Sequence, residues 1–143
     1  MTKTSLARGA LFAFVGAIVA QSALAGSWTP VAQTEQSVYM LDESSIEQRS
    51  GFVTAWELVE YSLPQEHDGV SYRSQLNLRA YRCADGSWDV LRVTRFAGSQ
   101  SSGEAVLSSR FDPASVTWHP AAPDTIAGVL LQRVCQLARS PAG

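Results

Sequence analysis

The chain has 143 residues, 45% of them hydrophobic and 17% charged, with a formal net charge of −2. That is the length of one domain with a globular composition, which excludes an intrinsically disordered chain. The acidic balance argues against broad binding of nucleic acid or anionic membrane, because either needs a net basic face.

In chain order, the first element is an export signal. Lys3 and Arg8 make a positive n-region, "ALFAFVGAIVA" (residues 10–20) is an apolar run, and Ala23 and Ala25 are the small residues ahead of Gly26. The pattern predicts a secretory signal peptide over residues 1–25, cut after Ala25, and not an uncleaved anchor or core helix. The run is too short to span a bilayer, and no later run is long enough, so no membrane span is expected. No Cys stands at the cut, so no lipid anchor is indicated and the expected location is the periplasm, the cell surface or the medium. Residues 26–143 then form a single domain, in which nine arginines face 13 acidic side chains for a formal charge of −4.

The rest of the chain reads mostly as strands. "SWTPVAQ" (27–33) opens it, and Pro30 confines that segment to a sheet edge. "SVYML" (37–41) is a short strand, and "DESSIEQRSG" (42–51) reads as a turn or a single helical turn closing at Ser50-Gly51. "FVTAWELVEYSL" (52–63) is a long strand ended by Pro64, and "PQEHDG" (64–69) a loop. "VSYRSQLNLRAYRC" (70–83), "WDVLRVTRFAG" (88–98) and "EAVLSSRF" (104–111) are further strands, the last two joined by the low-complexity loop "AGSQSSGE" (97–104). "DPAS" is a turn and "VTWHP" an extended lead-in.

The last element is different. Ile126, Val129, Leu130, Val134 and Leu137 recur at helical spacing, Asp124 or Thr125 suits the N-cap, and Arg133 and Arg139 suit the C-terminal end. Gly128 weakens this helix slightly. The expected fold is α+β: an antiparallel sheet of about five to six strands with one C-terminal α-helix packed on it.

Asp85-Gly86 suggests a two-residue type I′ hairpin. That register puts Ala80 opposite Leu91 and Leu78 opposite Val93 on one face, and Cys83 opposite Trp88, Tyr81 opposite Val90 and Arg79 opposite Arg92 on the other. Two apolar faces result, so either both are partly covered or a bulge switches face within a strand. An even pair of cysteines in an exported chain reads as one disulfide, Cys83 to Cys135, whose closed loop stabilises the fold by about 4 kcal/mol in the chain-entropy model. A catalytic or metal-binding use of these thiols finds no CxxC spacing and only two histidines.

Nothing in the chain reads as an active centre. GxSxG, HExxH and phosphate-loop motifs are missing, His67-Asp68 reads as a solvated turn and His119 as edge packing, and Asp42-Glu43 suits turn chemistry. No enzyme activity, cofactor or metal is expected. Trp28, Trp56, Trp88 and Trp118 are core or core-edge residues unless exposed, in which case they are anchors for a partner. The arginines Arg73, Arg79, Arg92 and Arg95 are the candidate partner-binding residues, because like charges opposed on a sheet call for an anion.

Read together, these segments resemble the surface-adhesin protein E family of proteobacterial exported proteins. The resemblance is carried in order by "SWTPV", "VYMLDESSIEQRSGFVTAWELVEYSLPQ", "YRSQLNLRAYRC", "FAGSQSSGEAV" and "VTWHPAAPDTIAGVLLQRVC", over roughly residues 27 to 138. The matching positions are Tyr39, Asp42, Ser45, Ile46, Trp56, Ser74, Cys83, Trp118, Pro120 and Cys135. The resemblance implies a small α+β domain with a Cys–Cys bond and a non-enzymatic binding module for protein partners such as host extracellular-matrix proteins. A soluble periplasmic accessory or inhibitor protein is the alternative reading.

Overall fold

The computed structural model describes residues 27–140, so the expected signal peptide lies outside the described residues. Six strands follow one another as an antiparallel meander: β1 (Trp28–Gln33), β2 (Ser37–Arg49), β3 (Phe52–His67), β4 (Val70–Arg82), β5 (Ser87–Phe96) and β6 (Ala105–Arg110). A two-residue strand β7 (His119–Pro120) pairs with the start of β5, and α1 (Ile126–Arg139) ends the fold. The α+β sheet with its C-terminal helix is as the sequence led one to expect, and Pro30 does lie on an edge strand.

Two long strands differ from expectation. Residues 43–46 are no helical turn but a wide bulge within β2, which advances from Asp42 to Glu47 while β3 advances only from Trp56 to Thr54. The bulge is internally satisfied. The Asp42 carboxylate accepts from the Ser44 N–H (3.0 Å), while the Ser45 hydroxyl donates to the Asp42 carbonyl (2.6 Å) and accepts from the Trp56 N–H (2.8 Å). A like bulge carries β3 through Pro64 to His67, from Glu60 to Gln65 against Ser74 to Tyr72 of β4. Proline is tolerated at a bulge, where its missing N–H costs no ladder bond. The two-residue turn with both central φ angles positive is therefore Asp68-Gly69 (φ 50° and 75°), which closes the β3–β4 hairpin.

The β4–β5 hairpin is correspondingly looser. Residues 83–86 form a four-residue connection closed by Gly86 N–H donating to the Arg82 carbonyl (3.0 Å), with Arg82 opposite Ser87. The Asp85 carboxylate is drawn to Arg82 (2.5 Å) and to the Ser87 hydroxyl (2.5 Å), and Cys83 leaves the ladder to reach α1. Tyr81 faces Trp88 and Arg79 faces Val90; then Leu91 is bulged out, and Leu78 faces Arg92. That bulge carries Val93 to the face of Tyr81, while Leu78 and Ala80 stay on the other face, which is itself partly covered, Ala80 and Leu58 being fully buried. Arg79 and Arg92 are not opposed, correcting the register read from the sequence.

The helix sits on one face. Leu130 and Val134 bury against Leu41, Val53, Ala55 and Tyr81, with Ile126, Leu131 and Leu137 at the margin. Thr125, and not Asp124, is the N-cap, its hydroxyl accepting from the Gly128 N–H (3.1 Å). Cys83 and Cys135 are bonded, with their Cα atoms 5.7 Å apart.

Gly128 has a reason to be glycine. A Cβ there would land on the Ala122 carbonyl group, 2.7 Å from its carbon and 2.9 Å from the Pro123 Cα. On helix propensity alone Gly128→Ala gains up to ~1 kcal/mol. The expected result is instead a loss of roughly 1–3 kcal/mol, because the lead-in backbone must move. Urea unfolding of the variant decides: a higher midpoint would contradict this packing of the lead-in on α1.

Candidate functional site

Cross-strand pairing sorts the side chains into two faces. On the face under α1, one row runs Thr29, Leu41, Glu57, Asn77, Val93, Ser109. On the opposite face, one row runs Trp28, Asp42, Trp56, Leu78, Arg92, Arg110, and the next runs Pro30, Met40, Leu58, Leu76, Thr94, Ser108.

The helix-side face carries a polar ladder beyond the helix. Glu57 is fully buried and ion-paired with Arg79, whose guanidinium also stacks on the Trp88 ring (4.4 Å). The Asn77 amide approaches Glu57 at 3.5 Å, the Gln75 amide donates to Asn77 (2.9 Å), and Arg95 donates to Gln75 (2.9 Å) while lying over Tyr72 (4.8 Å). Burial outweighs Arg79 and pushes the Glu57 carboxyl above its ordinary pKa; burial likewise pushes the Tyr81 phenol up. Glu57 Oε1 and the Tyr81 hydroxyl are buried with no hydrogen-bond partner. Glu57, Asn77 and Tyr81 are closed inside the fold and stiffen it, while Gln75 and Arg95 at the far end of the ladder are half-buried.

The opposite face is open in its middle. At one corner Trp118 rests on Phe52 (5.9 Å) and Arg82 (4.5 Å), and the Thr117 N–H donates to Asp89 (2.9 Å). At the other end the 97–104 loop folds onto buried Ser74, whose hydroxyl donates to the Gly98 carbonyl (2.6 Å) and accepts from the Ser101 N–H (2.9 Å). Gln100 N–H caps the Glu60 carboxylate, which desolvation shifts above its ordinary pKa. Between these corners Met40, Trp56, Leu76 and Leu78 are half-buried around a fully buried Leu58. Arg92 lies over the Trp56 ring (5.6 Å), and Arg110, exposed, stands directly opposite Arg92.

The four candidate arginines are thus dispersed. Arg79 and Arg95 belong to the helix-side ladder, Arg73 donates to the Ser62 carbonyl (3.3 Å) at the β3 bulge, and Arg92 alone is on the open face. Sequence reasoning missed Arg110 as the partner of Arg92. The alternation of "EAVLSSRF" marks a strand, but its register against β5 depends on the loop between them. Among the other polar pairs, His67 and Asp68 form an exposed contact (3.4 Å) at the hairpin tip, and Glu43 pairs with Arg133 (2.6 Å). The His119 ring packs at 5.9 Å from Trp88. Among the described residues no group of three or more His, Cys, Asp or Glu is placed to hold a metal ion, and no helix is long and apolar enough to cross a membrane.

The family model described as surface-adhesin protein E matches residues 28–136. Among solved structures, Haemophilus influenzae protein E is similar with a TM-score of 0.55 at 17% identity, over 82% of this chain and 90% of that one. Its selenomethionine form gives a TM-score of 0.50 at 17% identity, over 75% of this chain and 91% of that one. At that identity the likeness is one of fold. No curated protein sequence matches the chain.

Proposed function

We propose, on the premise that the chain belongs to the surface-adhesin protein E family, that it is an exported, non-enzymatic module that binds host extracellular-matrix proteins through the sheet face opposite α1. The observation that carries this reading is the cluster of partly buried apolar side chains on that face, Met40, Trp56, Leu76 and Leu78 around the fully buried Leu58, in the middle of a fully paired sheet. An apolar, aromatic patch with a charged rim is what a protein-docking surface looks like. The polar ladder on the other face is buried at Glu57 and Asn77 and bonded internally through Gln75 to Arg95, and the family's Asp42, Ser45 and Ser74 are spent on bulge and loop hydrogen bonds. Export rests on the signal peptide of residues 1–25, and an intact mass starting at Gly26 is its check.

Binding of the purified protein to immobilised extracellular-matrix proteins tests the function. Trp56→Ala together with Leu76→Ser is expected to reduce capture at least tenfold, about 1.4 kcal/mol or more, because buried aromatic anchors dominate such interfaces. Unchanged capture would move the site elsewhere. Protein found only in the periplasmic extract, and untouched by protease shaving of intact cells, would favour the accessory reading.

A further inference from the structure

We infer that Arg92 and Arg110 form a carboxylate clamp at the β5–β6 edge of the open face, and that its ligand is an acidic stretch of a partner polypeptide whose neighbouring apolar side chains lie on Leu78 and Trp56. The inference rests on the docking role of that face and specifies the chemistry at its edge.

The two arginines are direct cross-strand neighbours. Phe111 N–H donates to the Leu91 carbonyl (2.8 Å), so the adjacent Arg92–Arg110 pair is a non-hydrogen-bonded one, the kind whose side chains approach most closely. Two like charges so placed work against the sheet. The arginine ion pairs among the described residues engage Arg49, Arg79, Arg82 and Arg133, which leaves Arg92 and Arg110 without a carboxylate. Arg92 is nevertheless held in place, its guanidinium over the Trp56 ring. A planar guanidinium matches a carboxylate through two parallel hydrogen bonds, and two of them side by side match adjacent carboxylates.

The rest of the row chooses between a polypeptide and a sulfated polysaccharide. From Arg110 and Arg92 it passes through Leu78 and Trp56 to Asp42. A linear polyanion laid along it would leave its cations after two residues and meet apolar surface and then a carboxylate. A peptide with acidic residues at one end and apolar ones after them is complementary along the whole row.

The test titrates the purified, isotope-labelled protein with three probes: a peptide carrying Glu-Glu followed by Leu-Phe, the same peptide with Gln-Gln, and a heparin hexasaccharide. The clamp requires that the Glu peptide perturb the Arg92, Arg110 and Trp56 side-chain resonances and bind at least tenfold better than the Gln peptide. Arg110→Glu removes that preference and at the same time raises the melting temperature by roughly 1–4 °C, because the pair becomes one of opposite charge. A role confined to folding would give the stability change without any effect on binding. Equal affinity for the Glu and Gln peptides, or tighter binding of the heparin fragment at the same residues, overturns the inference. In the matrix-protein assay, loss of capture in Trp56→Ala with full capture in Arg110→Glu would leave the docking face standing and remove the clamp. Full capture by both variants would remove the face itself.

Discussion

Reducing the Cys83–Cys135 bond is expected to lower the stability of the domain by about 4 kcal/mol, the loop-closure term for this span. The bonded residues are 52 positions apart and join the β4–β5 connection to α1. That is a large part of the ~5–15 kcal/mol by which a domain of this size is stable, and it corresponds to a fall in melting temperature of roughly 15 °C. The sheet should survive, because its strands are paired by sequence neighbours and owe nothing to the bond. The helix is the element at risk. Its packing rests on Leu130 and Val134 against Leu41, Val53, Ala55 and Tyr81. Thermal melts of oxidised and reduced protein, followed in the far ultraviolet, check this, with Cys83→Ser plus Cys135→Ser as the control. Equal melting temperatures would mean that helix and sheet hold together without the cross-link.

Arg79→Ala is the second large effect. Arg79 is the cation paired with Oε2 of the fully buried Glu57, whose Oε1 has no hydrogen-bond partner. Removing one member of a buried pair costs roughly 3–5 kcal/mol, because the other charge is stranded. The cost carries a pH signature. Burial raises the Glu57 pKa above its unfolded value of 4.5, so the native state holds that proton more tightly than the unfolded state does. The favourable contribution is complete below pH 4.5 and is lost as pH rises through the native pKa. Without Arg79 the native pKa rises further, so the penalty of Arg79→Ala is largest near neutrality and shrinks toward pH 4.5. Urea unfolding of wild type and variant at both pH values measures it. A penalty independent of pH would show that Glu57 is neutral throughout, or that the lost term is only the stacking of Arg79 on Trp88.

Helix α1 was legible because period and cap agree: Ile126, Leu130, Val134 and Leu137 fall on one side and Thr125 stands ahead of them. The cysteine pairing followed from export and count. The hairpins were legible but their turn geometries were not, although both contain Asp-Gly. Asp68-Gly69 makes the two-residue turn, while Asp85 is diverted to Arg82 and Ser87 and Cys83 to α1. A dipeptide cannot reveal which of two such turns has tertiary partners. The bulges at residues 43–46 and 61–64 were hidden for a related reason. Each interrupts a period-two pattern while remaining within one strand, and what stabilises the first of them, the Ser45 bond to Trp56 N–H, comes from the neighbouring strand. The candidate site suffered most. Moving Arg92 to the face opposite Arg79 and placing Arg110 beside it depend on the single residue Leu91 being bulged out and on the turn of the 97–104 loop.

Side-chain oxidation footprinting of the protein, free and saturated with a captured matrix protein, tests the docking face most directly. Met40 and Trp56 are oxidisable and lie on the open face, while Trp88 lies on the helix-side face and is an internal control. The account predicts that bound partner protects Met40 and Trp56 and leaves Trp88 unchanged. Protection of Trp88, with Met40 and Trp56 oxidised as fast as in the free protein, would contradict it.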